Sequence, residues 1–243
     1  CVTGVQTCAL PIYEIESVEY IPLETTADPA SLLDGVSEYA VTSNYIYVSP
    51  VKEQRIVQFD RKGQFVKTLI PFGQGPGEFS DFLMGMQADE KNNRLYLFCS
   101  NKIMVYTLDG EFIQSLNHDY TIVYQRMVGK DRFASVAFPY VPFESGSYGL
   151  GVFSDKADTI AMKNDFSSPL VSHEKAGFTI ALATAYSDME ESVLFKTGSN
   201  DTVFRVTADD ILPACVLRTG NSDKEVIRSL DATDFSSLKR KFG

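Results

Sequence analysis

Apolar and polar side chains alternate with a period of two along Asn44-Tyr45-Ile46-Tyr47-Val48 and along Ile56-Val57-Gln58-Phe59. A period of two puts one residue set on each face of a β-strand. Strands are therefore predicted near 46–48, 56–59, 65–69, 95–98, 103–106 and 112–116. Between them, Asp60-Arg61-Lys62-Gly63 and Thr107-Leu108-Asp109-Gly110 read as hairpin turns. Gly63 and Gly110 supply the positive φ that a tight turn needs. Phe65 and Phe112 then restart the inward face. Further strand-like runs follow at 131–136, 149–153, 159–161, 192–195, 201–206 and 214–217, with turns at Ser154–Asp158 and Thr207–Asp210. From Asp223 to Lys241 the pattern changes. Glu225, Val226, Ile227, Arg228 and Leu230 suit a short helix within 223–241, with Ser222 or Asp223 as its N-cap.

The strands repeat as units. Ile56–Val66 aligns with Ile103–Ile113, so that Gly63 and Gly110, and Leu69 and Leu116, stand 47 residues apart. Asn44–Val48 aligns with Asn93–Leu97 at an offset of 49. Strands in hairpins at a period of roughly 40–50 residues are the mark of β-propeller blades, sheets whose faces are buried only by their neighbours. A β-sandwich is the competing arrangement, and the shared offset over both hairpin runs argues against it. The expected fold is all-β, a β-propeller of the six-bladed type with about four blades present. The third and fourth units are expected to be stretched, by the excursion Pro139-Tyr140-Val141-Pro142 and by residues 163–191. Such an arc is expected to stay open, with a large apolar patch on the blade around 192–217.

Composition narrows the partners. With 22 basic against 32 acidic residues in 243, the formal net charge is −10, a poor match for nucleic acid or an anionic membrane. An apolar content of 44% argues against disorder. No apolar run reaches the ~18–20 residues of a transmembrane helix. The opening stretch, CVTGVQTCALPI, has neither the basic start nor the apolar core of a signal peptide. It resembles translated sequencing-adapter read-through, so residues 1–12 are set aside as a non-native leader and the domain is taken as 13–243. Of the four cysteines, Cys1 and Cys8 match no zinc spacing. Cys99 and Cys215 sit in strands and read as buried free thiols, with a disulfide between them left open.

Chemistry-bearing motifs are few. Phe72-Gly73-Gln74-Gly75-Pro76-Gly77-Glu78-Phe79 looks like a phosphate loop, but no Lys-Ser/Thr follows, a strand comes next, and Pro76 removes an amide donor. Gly73, Gly75, Pro76, Gly77 and Glu78 are read as a structural inter-blade turn. This loop, Asn93-x-Leu95-Tyr96-Leu97 and Val105-x-x-Leu108-Asp109-Gly110 resemble an NHL-type propeller repeat. Together with Val18–Thr25 as an opening strand and Asn200–Val206 followed by Pro213 and Gly220, the chain resembles a family of six-bladed β-propeller proteins from gut-dwelling Gram-negative bacteria. The resemblance implies the periplasm or cell envelope, with a lipoprotein anchor on the intact protein. Ser49-Pro50 and Phe98-Cys99 stand where NHL blades usually place Asp, so no site residue is carried over.

Catalytic constellations are thin. His118 and His173 are the two histidines, and both read as loop residues. Asp89-Glu90, Asp188–Glu191 and Asp209-Asp210 lack the spacing of a calcium loop and read as solvated turns. No metal site and no cofactor is implied. Two functions remain. The first is a binding or scaffold propeller that recognises a protein, peptide or glycan through loops on one face. The second is a lactonase- or esterase-like hydrolase or lyase with a metal in the central channel, which requires one His and two carboxylates to converge near the axis.

Overall fold

The computed structural model describes residues 18–53, 55–75, 77–99, 102–117, 122–129, 131–137, 148–156, 158–164, 184–189, 192–197 and 202–217. The leader 1–12, the excursion 139–142 and the helix expected within 223–241 lie outside the described residues.

The strands form four antiparallel four-stranded meanders. The first is β1 (Val36–Val41), β2 (Tyr45–Pro50), β3 (Ile56–Asp60) and β4 (Phe65–Ile70). The second is β5 (Leu83–Asp89), β6 (Arg94–Cys99), β7 (Lys102–Tyr106) and β8 (Phe112–Asn117). The third is β9 (Ile122–Gly129), β10 (Arg132–Ala137), β11 (Tyr148–Ser154) and β12 (Thr159–Asn164). The fourth is β13 (Thr184–Met189), β14 (Ser192–Thr197), β15 (Thr202–Val206) and β16 (Ile211–Val216). Strand order within each sheet follows the chain. The first strands meet in succession, β1 with β5 and β5 with β9, and β9 then meets β14 of the fourth sheet. Sheets stacked side by side through their innermost strands are the blades of a β-propeller.

Each blade has a fourth strand that the repeat reading of three-strand units left out. The missed strands are the innermost, β1, β5, β9 and β13. Polar residues interrupt them, as Ser37 and Glu38 do in β1 and Gln87 and Asp89 do in β5, so they do not read as clean alternations. The middle strands read as nearly unbroken apolar runs because both of their faces are covered. In β6, Leu95 and Leu97 face the first blade and Tyr96 and Phe98 face the third, and all four are buried. The first interface packs Ala40, Tyr47 and Ile56 against Met86, Leu97 and Tyr106. The second is aromatic, with Phe133 edge-on to Tyr96 at 5.6 Å and to Phe98 at 6.3 Å. In the third, Tyr124 meets Phe195 edge-on at 4.9 Å.

Two expectations change in detail. Residues 18–25 carry no strand ladder; instead Glu24 N–H donates to the Gly63 carbonyl at 2.7 Å, so the segment runs beside the β3–β4 hairpin. A three-residue 3-10 turn, Pro29–Ser31, follows, capped by the Asp28 carboxylate accepting from Ala30 N–H. Uncovered apolar positions are not confined to the fourth blade; they occur on the first as well. Tyr39 and Val41 of β1 are exposed, as are Leu212 and Val216 of β16.

Candidate functional site

The innermost strands bring polar side chains together from three blades. Glu38 stands on β1, Gly85 and Gln87 on β5, and Arg126 on β9. Alternation puts Gly85 and Gln87 on the face of β5 away from Met86, which is buried in the first interface. They therefore point toward the third blade. There the Gln87 Oε1 accepts from Met127 N–H at 2.8 Å, tying one inner strand to the next. Arg126 is 9% exposed. Its Nη1 donates to the Gln125 carbonyl at 3.2 Å, and its guanidinium lies 4.9 Å from the centre of the Tyr124 ring. That geometry is a cation–π contact. A Cβ on Gly85 would stand 2.7 Å from the Arg126 Nη1, so the missing side chain at 85 is what makes room for the guanidinium. Next to it, Gln125 Nε2 donates to the buried Ser135 hydroxyl at 3.3 Å.

Glu38 completes the group. Burial raises its carboxyl above the ordinary 4.5, and the Arg126 guanidinium draws it part of the way back. A half-buried carboxyl on β1 and a buried guanidinium on β9, on either side of β5, can recognise a polar ligand group by charge-assisted hydrogen bonds. In the β4–β5 connection, Phe72 and Phe82 are more than half exposed. None of Glu38, Gln87 and Arg126 was singled out from the sequence. The signal was present as polar residues set inside β-like stretches, and it needed the innermost strands to be recognised first.

The residues singled out from sequence fall elsewhere. Gly63 and Gly110 lie in the β3–β4 and β7–β8 turns at φ +83° and +91°. The glycine loop lies between β4 and β5, and closes on itself. Gly73 N–H donates to the Phe79 carbonyl, Glu78 N–H to the Gly75 carbonyl, and Gly75 N–H to the Glu78 carboxylate at 2.8 Å. The loop's own carboxylate thus takes the amide that an anion would use. Gly77 has φ +80°, and Pro76 lies outside the described residues. Cys99 and Cys215 are free thiols; Cys99 is buried and Cys215, expected to be buried, is exposed on the outermost strand β16. Burial and the Asp81 carboxylate push the Cys99 thiol up to about 12, Lys102 opposing them. His118 and His173 lie outside the described residues. Among the described residues, no three His, Cys, Asp or Glu side chains cluster to hold a metal. No helix there is long and apolar enough to cross a membrane.

A family model described as a domain of unknown function, DUF4934, matches residues 12–241. No curated protein matches the chain in sequence. Among solved structures, the chain is similar to a protein from Bacteroides fragilis described as exported, at 18% identity and TM-score 0.66, over 83% of this chain and 55% of that one. It is also similar to a member of the DUF4221 family from Bacteroides vulgatus, at 11% identity and TM-score 0.50, over 77% of this chain and 59% of that one. The chain thus spans little more than half the length of these structures. At such identities the likeness is one of fold.

Proposed function

This chain belongs to the DUF4934 family, and from that premise we propose that it is a non-enzymatic binding propeller, recognising a protein, peptide or glycan at the inner ends of its blades. One observation carries the reading. Three successive inner strands deliver Glu38, Gln87 and Arg126 to one region, with the guanidinium buried and held over Tyr124. Exposed Phe72 and Phe82 add flat apolar surface of the kind that sugars and peptides stack on. The expected setting is the envelope of a Gram-negative bacterium, with the intact protein lipid-anchored and its propeller of the six-bladed, NHL-like type. The similarity to a protein described as exported supports that setting.

The test uses the purified chain on glycan and peptide arrays, beside Arg126→Gln and Phe82→Ala. Binding to a restricted ligand class should fall about tenfold or more in Arg126→Gln, the scale of a lost charge-assisted hydrogen bond. Thermal unfolding of each variant checks that it folds. Unchanged binding by a folded Arg126→Gln would remove this site from the function. Turnover of lactone or ester substrates on adding zinc or calcium would reverse the reading in favour of a channel-metal hydrolase.

A further inference from the structure

The inner strands of the first three blades break their pairing at one and the same place. Val36 pairs with Pro50 and Glu38 with Ser49, so Ser37 is an extra residue in β1. Leu83 pairs with Cys99 and Gly85 with Phe98, which leaves Met84 extra in β5. Ile122 pairs with Ala137 and Tyr124 with Val136, which leaves Val123 extra in β9. β13 pairs with β14 without such a break. A bulge bends its strand and re-aims the side chains beside it. The residues that follow the three bulges, Glu38, Gly85 and Tyr124, hold one position in successive blades, and Glu38 and Gly85 stand 47 residues apart. Gly85 brings no side chain to that position, and the Arg126 guanidinium takes the place. Its Nη1 lies 2.7 Å from where a Cβ on Gly85 would stand, and the group sits over the Tyr124 ring. A carboxylate, a guanidinium and an aromatic ring are thus arrayed at one level of three successive inner strands.

What this level can hold follows from its chemistry. Among the described residues, no hydrogen bond reaches the Glu38 carboxylate, so its oxygens are open acceptors. Gln87 commits its Oε1 to Met127 N–H, and its Nε2 donates to none of the described residues. Neighbouring strands therefore offer acceptors and a donor. The charge of Glu38 is offset by that of Arg126, so neither an acidic nor a basic ligand gains from the pair. The chain's net charge of −10 disfavours an acidic one further. The bulges bear on peptides. A sheet edge receives an extended peptide through a ladder of backbone hydrogen bonds, and a bulge interrupts that ladder. Uncharged hydroxyls meet each of these conditions. Every hydroxyl both donates and accepts, and two on adjacent carbons can reach the two oxygens of one carboxylate.

We propose that this inner edge binds a neutral glycan through a vicinal diol, whose hydroxyls donate to the Glu38 carboxylate and accept from Gln87 Nε2. The inference rests on the binding reading of the same site and narrows it to one ligand class. An array of neutral oligosaccharides tests it, printed beside copies whose vicinal diols have been cleaved by periodate and reduced, and beside uronate-bearing glycans and peptides. The purified chain should bind a subset of the intact neutral sugars, and their cleaved copies about tenfold more weakly or less. Gln87→Glu keeps an oxygen for Met127 N–H and removes the amide donor. It and Glu38→Gln should each weaken binding of the intact sugars by about tenfold, the scale of a lost hydrogen bond to a charged or buried group. Glu38→Gln also leaves the guanidinium unbalanced, and should raise binding of uronate-bearing glycans relative to neutral ones. Thermal unfolding checks that each variant folds. No binding to any neutral sugar, or equal binding of intact and cleaved copies, would overturn the proposal. Binding of peptides or uronate-bearing glycans alone, lost in Arg126→Gln, would overturn it too while keeping the site. Neutral-sugar binding unchanged in folded Glu38→Gln, Gln87→Glu and Arg126→Gln would overturn both.

Discussion

The first two blades turn from third to fourth strand on a glycine, and the last two carry no glycine there. The turn nevertheless opens in each of the four on an oxygen-bearing side chain. Asp60 Oδ1 accepts from Lys62 and Gln64 N–H, and Thr107 Oγ1 from Glu111 N–H. Ser154 Oγ accepts from Lys156 and Asp158 N–H, and Thr207 Oγ1 from Asp209 and Asp210 N–H. Asp60, Thr107 and Ser154 are spaced by 47 residues, so the period persists into the third blade, which the sequence reading had taken as stretched. The capping oxygen competes for backbone donors and defines the turn. The glycines answer a second demand. At 63 and 110 a neighbouring carbonyl sits where a Cβ would stand. Turn chemistry and blade-to-blade clearance are thus separate requirements, and only the first is common to all four blades.

The largest test of this contrast asks whether the two pairs of blades pack alike despite their different turns. Leu97 in the first interface and Phe195 in the third are fully buried. Truncating either to Ala should cost about 3–5 kcal/mol of unfolding free energy in urea titrations. A cost under about 1 kcal/mol for Phe195→Ala would mean that the fourth blade is not packed on the third, and the contrast would become one of stability. Next in size is the turn itself. Gly110→Ala meets both a positive φ and the Leu69 carbonyl, and should cost at least about 1–3 kcal/mol. Ser154→Ala removes only a cap, about 0.5–1.5 kcal/mol. Equal costs would erase the distinction between clearance and capping.

Much of the fold was legible because the first two blades keep their glycines, their turn oxygens and their aromatic returns at a fixed offset. Asp60–Gly63 and Thr107–Gly110 announced the hairpins, and the strands between them fell within a residue or two of their observed bounds. The innermost strands were not legible. Their edge faces the axis, where polar side chains are tolerated, so β1 and β5 lack the apolar pattern that a covered strand must have. The candidate site was hidden for the same reason. Arg126 stands between Gln125 and Met127 in a strand with no clean alternation, and its partner Gly85 acts through the absence of a side chain. Close approach between non-adjacent strands leaves no periodic trace.

A smaller effect probes the inner edge, where Glu38 of the first blade feels the charge of Arg126 on the third. The Glu38 carboxyl is raised by burial, so its folded-state value lies above the unfolded one. The stability this shift contributes is present below the ordinary 4.5 and is lost as pH rises through the raised value. Glu38→Gln removes that loss. Its melting temperature should match that of the wild type near pH 4 and exceed it increasingly toward neutral pH. A difference that does not vary with pH would mean that the carboxyl is solvated as an ordinary surface group, and the inner edge would then hold no polar cluster.

The smallest effect is chemical, and sets one thiol of the second blade against one of the fourth. Cys99 closes β6, a middle strand covered on both faces, and its thiol is pushed up to about 12 by burial and by Asp81. Cys215 lies on β16, an outermost strand, and is exposed. The thiolate is the species that reacts with iodoacetamide, so both the raised value and the cover slow Cys99. Peptide-resolved mass spectrometry at pH 8 should find Cys215 carbamidomethylated while Cys99 stays unmodified, and both modified in urea. The sign also predicts a pH response. Because the folded-state value exceeds the ordinary 9.0, Cys99 favours folding below pH 9 and loses that contribution as pH rises toward 12, whereas Cys99→Ala should not. Rapid native labelling of Cys99 would place β6 at an open edge of the second blade, and the two pairs of blades would then differ in their middle strands as well as in their turns.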